Sequence, residues 1–187
     1  MAELIALSPL AGLLPTEIGA HRLVAGKAGP MSSLAPFPGR RAAVDDALAP
    51  LGLRFPDPGE VIAGTGGARI FWTGRETAFL AGAAAPEALA GAAAVTDQSD
   101  GWAAMTLEGP ATEAVLARLV PVDCGIAAFP PGRCLRAPLQ HLPAIFLREA
   151  PGAVAILVFR SMAQSAVHEL SAAMRAVAAR AGGAGRG

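Results

Sequence analysis

The stretch Val95-Thr96-Asp97-Gln98-Ser99-Asp100-Gly101-Trp102-Ala103-Ala104-Met105-Thr106-Leu107-Glu108-Gly109-Pro110 decides the fold. Asp97, Ser99 and Asp100 are short polar residues that hydrogen-bond their own backbone, and Gly101 tolerates positive φ, so Gln98 to Gly101 reads as a turn. Trp102, Ala104, Thr106 and Glu108 then alternate with Ala103, Met105 and Leu107, which is the period of a strand. Gly109-Pro110 breaks that strand and opens a helix, because proline at the first helical position gives up an N–H that lacks an intrahelical partner anyway. Thr112, Val115, Leu116 and Leu119 share one helical face up to Val120, and Pro121 stops the run. A strand followed by a one-sided helix implies a helix packed on a sheet.

Working outward, the first half follows a similar plan. Residues 1–17, with a Ser8-Pro9 turn, read as a leader lying across the fold or a partner. Ile18 to Ala25 and Met31 to Ala35 read as strands, before Phe37-Pro38-Gly39 turns the chain. Val44, Leu48 and Leu51 have helical spacing, Arg40, Arg41, Asp45 and Asp46 take the wet face, and Gly52 is the C-terminal cap. Phe55-Pro56-Asp57-Pro58-Gly59 follows, and Phe129-Pro130-Pro131-Gly132 stands at the equivalent place in the second half. Further strands come after each: Val61 to Ala63, Arg69 to Trp72 and Thr77 to Leu80, then Cys134 to Leu139, Ala144 to Leu147 and Val154 to Phe159. Pro86 to Ala94 and Ser161 to Arg180 are the closing helices. Ser161 and Gln164 have capping-box spacing, and Ala163, Val167, Leu170, Met174 and Val177 form a buried stripe opposite His168, Ser171 and Arg175.

The expected fold class is therefore α+β: two pseudo-repeated lobes of mixed or antiparallel sheet with helices on one face, over 18–94 and 95–180, and a disordered tail at 181–187.

Composition narrows the function classes. The 187 residues are 53% hydrophobic and 16% charged, with 15 basic against 15 acidic residues, so the basic excess that phosphate backbones need is missing and nucleic acid is not an expected partner. An apolar, charge-poor surface of this kind tends to associate with other proteins. The alanine-rich run Thr77 to Thr96 contains Glu87 and Pro86 and makes a poor membrane span. Two cysteines and no basic segment ahead of the first apolar residues suggest a reduced, cytoplasmic setting.

Reactive constellations are weak throughout. Gly64-Thr65-Gly66-Gly67 precedes a strand rather than a helix and reads as a hairpin turn, and Lys27 lacks the residues of a nucleotide loop around it. Cys124, Cys134 and His141 match no common zinc spacing, and nothing local lowers either thiol pKa. Asp97 and Asp100 are the best carboxylate pair, although turn capping explains both. No catalytic, cofactor-binding or metal-ligating residue is assigned. The residues singled out as structural motif or interface are Asp97, Ser99, Asp100, Gly109, Pro110, Pro131, Gly132, Arg160, Ser161 and His168.

At Val95 to Pro110, Phe129 to Gly132 and Arg160-Ser161 through His168-Glu169-Leu170, with Ser33-Leu34-Ala35-Pro36-Phe37 and Trp72-Thr73-Gly74, the chain resembles the gamma subunit of heterotetrameric sarcosine oxidase. That family is in turn similar to the folate-binding T protein of the glycine cleavage system. The resemblance implies a subunit without its own cofactor, assembled with alpha, beta and delta partners that carry FAD, FMN, NAD and tetrahydrofolate. It also implies oxidative demethylation of sarcosine, with the one-carbon unit passed to tetrahydrofolate on a partner. The T-protein pattern places a catalytic aspartate on the hairpin after its Pro-Gly element, but Arg136 to Glu149 holds none, and no Asp follows Asp123. Folate catalysis by this chain is therefore not expected. A free-standing folate-binding module, or a gamma-like subunit of an N-methylglutamate dehydrogenase-type complex, is the alternative reading.

Overall fold

The computed structural model describes residues 7–26 and 29–184. The beginning of the expected leader, Lys27 and the end of the expected tail lie outside the described residues.

Among the described residues eleven strands form two sheets, and each strand pairing is antiparallel. The six-stranded sheet has the order β1-β2-β8-β11-β10-β9, built from Thr16–Ile18, His21–Ala25, Trp102–Glu108, Ala153–Phe159, Leu142–Ala150 and Cys134–Leu139. The five-stranded sheet has the order β4-β5-β6-β3-β7, from Val61–Ala63, Arg69–Gly74, Thr77–Ala81, Met31–Pro36 and Ala93–Asp97. Three α-helices accompany them among the described residues: α1 at Arg41–Leu48, α2 at Thr112–Leu116 and α3 at Ala163–Ala184. The α+β class expected from the strand and helix signals is the one observed.

Alternation along the strands divides the core into three layers. Leu34, Ile70, Ala78 and Leu80 turn one face of the smaller sheet onto Val44 and Leu48 of α1. Met105, Leu107, Phe146, Val154 and Ile156 turn one face of the larger sheet onto Val115 and Leu116 of α2 and Leu170 and Met174 of α3. The inner faces meet through Met31, Phe71, Phe79, Ile145, Leu147 and Leu157, so the order of layers is helix, sheet, sheet, helix. Polar seams reinforce the join. Val61 N–H donates to Gly132 O at 3.0 Å, Cys134 N–H donates to Gly59 O at 3.0 Å, and Arg69 pairs with Glu149 at 2.7 Å.

Several local expectations are corrected. Ile18 to Ala25 is not one strand: Gly19, at φ 61°, turns β1 into β2, and β2 pairs with β8 in the larger sheet rather than with the strands that follow it. Pro86 to Ala94 is not a helix. A 3-10 turn at Glu87–Gly91 leads into β7, whose β-branched Val95 and Thr96 pair with β3. Pro110 does not start α2. Gly109 sits at φ 140° and Ala111 in the left-handed region, and regular α-helix ends at Leu116. Gly101 needs no positive φ, and Ser171 is buried because it follows Val167 by four residues and so joins the packed stripe. Asp45 is half-buried, since its Oδ1 accepts the Phe55 N–H at 2.7 Å. The last helix runs to Ala184, past the point where a tail was expected.

Candidate functional site

The turn between β7 and β8 joins the two sheets, and its polar residues hold it. Ser99 donates to Asp97 Oδ1 from its backbone N–H at 2.9 Å and from its hydroxyl at 2.6 Å, while the same hydroxyl oxygen accepts the Met31 N–H at 3.1 Å. The Ser99 hydroxyl and then its N–H hold the Asp97 carboxyl below its ordinary range, so Asp97 is a turn anchor and a poor proton donor.

Because Phe159 faces Trp102 across β11 and β8, Arg160 and Ser161 lie beside this turn. Arg160 N–H donates to Gly101 O at 2.9 Å, its Nη2 donates to Leu7 O at 2.7 Å, and its Nη1 stands 3.8 Å from Asp100 Oδ1. A shallow, open depression here is lined by Pro9, Gly101, Phe159, Arg160, Ser161 and Gln164. Ser161 falls inside the 3-10 turn Arg160–Met162 rather than at a helix cap.

The fold thus gathers Asp97, Ser99, Asp100, Arg160 and Ser161 at one end of β8, and leaves the other singled-out residues elsewhere. Gly109 and Pro110 are at the opposite end, where Gly109 N–H donates to Gly152 O at 2.9 Å. Gly132, following Pro131, sits in the seam between the sheets, its N–H donating to Arg148 O at 3.0 Å. His168 is exposed on α3. Trp102 anchors the sheet interface, with ring centroids 5.4 Å from Phe79 and 4.6 Å from Phe159.

Both cysteines are free and buried. Burial pushes the Cys124 thiol up, and it pushes Cys134 up to about 11, where the single S–H lies between two acceptors, Glu60 O and Trp72 O, each 3.3 Å from Sγ. Among the described residues no group of three His, Cys, Asp or Glu side chains could hold a metal ion. Gly64 to Gly67 links antiparallel β4 and β5 as a hairpin turn. Arg136 and His141 line a second shallow depression with Pro138 and Pro143, but Arg136 Nη1 is committed to Thr73 O at 2.9 Å.

One residue escaped the sequence reading. Arg148, on β10, is 1% exposed. Its Nε donates to Phe129 O at 3.2 Å, its Nη1 to Thr112 Oγ1 at 3.0 Å and Pro151 O at 2.9 Å, and its Nη2 to Cys124 O at 2.5 Å. Its guanidinium also stacks 5.2 Å from the Phe129 ring centroid. Burial lowers its pKa, and no carboxylate hydrogen-bonds it within the recorded network. The side chain ties the loop after α2 to β10 and to the first residue of α2. Parity could have revealed it, since Arg148 follows Ala144 and Phe146 on the helix-covered face.

This is an α+β chain of two antiparallel sheets. It resembles a chain of the heterotetrameric sarcosine oxidase from Corynebacterium sp. U-96, solved in complex with pyrrole 2-carboxylate. The two share 26% identity at a TM-score of 0.79, over 92% of this chain and 96% of that one, which supports the sarcosine oxidase family. The regulatory subunit of aspartate kinase from Thermus flavus aligns over 84% of this chain and 99% of its own, at 14% identity and a TM-score of 0.40. No family model matches the sequence, and no curated protein matches it. Among the described residues no helix is long and apolar enough to cross a membrane.

Proposed function

We propose that this chain is a non-catalytic, gamma-type subunit of a heterotetrameric sarcosine oxidase complex, where it assembles or stabilises the flavoprotein partners. The observation that carries the reading is the near end-to-end likeness, at 26% identity, to a chain of that enzyme. The coverage of both chains makes them nearly equal in length, which suits the gamma subunit. The site geometry supports the non-catalytic role: Asp97 is spent on a turn, both thiols are buried, and Arg160 is engaged by backbone oxygen. In this reading the alpha, beta and delta chains hold FAD, FMN, NAD and tetrahydrofolate, and they carry out demethylation and one-carbon transfer.

The test is affinity purification of the tagged chain from its own cells grown on sarcosine. Stoichiometric recovery of yellow, flavin-bearing chains, with sarcosine-dependent oxidation in the eluate, is the expected result. A colourless, solitary protein from cells that oxidise sarcosine overturns it.

A further inference from the structure

Each edge of a sheet presents a row of backbone donors and acceptors that another chain can pair with. The two sheets have four edges, and three are blunted. β1 is three residues long and lies against α3, where a Cβ on neighbouring Gly19 would fall 2.7 Å from Ala178 Cβ. β4 is also three residues long, and its Val61 N–H already donates to Gly132 O. β9 carries Pro138, which has no N–H, and its Cys134 N–H is taken by Gly59 O.

β7 differs. It holds no proline and no Lys or Arg, and it pairs with β3 without a bulge. Ala94 to Asp97 are all exposed, although a strand covered on one face would bury every second residue. Gln98 N–H donates to Met31 O and Phe37 N–H donates to Ala92 O. The alternation of an antiparallel ladder therefore turns the backbone of Ala94 and Thr96 toward β3, and that of Ala93, Val95 and Asp97 outward.

Exposed apolar side chains continue along this edge. Phe37 (44% exposed) stands at its start, Val95 (39%) is in its middle, and Phe159 (40%) and Leu7 (68%) flank the depression past the turn. The far end carries two carboxylates, Asp97 and exposed Asp100, against one cation, Arg160, whose Nη1 stands 3.8 Å from Asp100 Oδ1.

We infer that β7 is the docking edge for an extended segment of a partner subunit, apolar opposite Val95 and carrying Lys or Arg at the Asp97 end; this rests on the subunit reading above. Outward N–H and C=O groups in a row are matched by another chain's backbone when that chain is extended, which gives strand addition its affinity, while alternate side chains give its specificity. A second copy pairing antiparallel about Val95 would set uncharged Ala93 opposite Asp97 and bring to that end only Arg40, whose Nη2 is engaged by Gly91 O at 3.3 Å.

Residue-resolved hydrogen exchange tests this on the isolated chain and on the complex made by co-expressing it with the flavin-bearing chains. The Val95 amide is expected to slow by about 100-fold in the complex, while the Ala94 and Thr96 amides, bonded to β3, are slow in both. Val95→Pro removes an outward donor, so it is expected to keep the wild-type melting curve and weaken association at least about tenfold; Val95→Ile keeps both the donor and the apolar side chain and binds as wild type. A complex that forms with Val95 still in fast exchange overturns the docking edge and leaves the subunit reading standing. Failure to form any complex overturns both. Slow, concentration-dependent Val95 exchange in the isolated chain assigns the edge to a second copy and overturns the partner proposal.

Discussion

Arg148 carries more of the local structure than any residue the sequence singled out. It supplies donors to three carbonyls and one hydroxyl, and its bonds to Phe129 O, Thr112 Oγ1 and Cys124 O are buried. Arg148→Met is expected to cost about 3–5 kcal/mol in urea unfolding, since it strands several buried acceptors at once. Arg148→Lys should recover only part of that loss, because one ammonium cannot reproduce the planar fork; full recovery would show that charge, not geometry, holds the loop. Cys134 makes a second prediction at this scale. Its thiol is raised from 9.0 to about 11 by burial, so the unfolded chain loses that proton first as pH rises. Stability is accordingly present below pH 9 and falls as pH approaches 11, and Cys134→Ala should flatten that part of the curve in pH-dependent unfolding. Ser99 and Asp97 were legible because turn residues act over two or three positions. Arg148 was not, because its partners lie between three and 36 residues away along the chain.

Among elements, strands with strict alternation were readable and those whose role depends on a distant neighbour were not. β8 buries Ala103, Met105 and Leu107 as its two-residue period requires. β7 was hidden inside an alanine-rich run, because pairing with β3 rather than local propensity makes it a strand. Ile18 to Ala25 reads from sequence as one strand of the first half, but it is part of a hairpin that adds to the larger sheet through Arg22, Leu23, Val24 and Ala25 opposite β8. Both ends of β8 are glycine turns, and only one needs glycine. At Gly109, φ is 140° and a Cβ would lie 2.7 Å from Ala20 O and 3.1 Å from His21 Cα, both backbone. At Gly101, φ is not positive and the nearest atom is the end of the flexible Gln98 side chain, at 3.2 Å. Gly109→Ala should therefore destabilise by about 1–3 kcal/mol or more, and Gly101→Ala by less than about 1 kcal/mol. Thermal melts of the two variants check this, and equal losses would mean that neither close approach nor backbone conformation distinguishes the turns.

At the scale of the molecule, a repeated plan along the chain suggests two lobes, while the packing suggests one cooperative body. The inner apolar cluster draws Met31, Phe71 and Phe79 from one sheet and Ile145, Leu147, Ala155 and Leu157 from the other, and Trp102 meets Phe79 edge-on across the join. Backbone bonds such as Val61 to Gly132 also cross it. Neither sheet can open without uncovering the inner face of the other, so the exchange of deeply protected amides should report one global unfolding event. Phe71 is the side chain to remove: it is fully buried, its ring centroid is 5.9 Å from that of Phe79 in an edge-on contact, and it belongs to the smaller sheet alone. Phe71→Ala is expected to cost about 3–5 kcal/mol. The informative readout is where the loss appears. If the sheets unfold together, the opening free energy of Leu34 in β3 and of Ile156 in β11 falls by the same amount, although Ile156 packs in the helix-covered core of the other sheet. If the sheets are independent lobes in contact, Leu34 loses protection and Ile156 keeps its own. The single-body outcome would also explain how a partner gripping β7 at the rim of the smaller sheet could stabilise the whole subunit, because binding energy at one edge then counts toward every residue that opens only in the global transition.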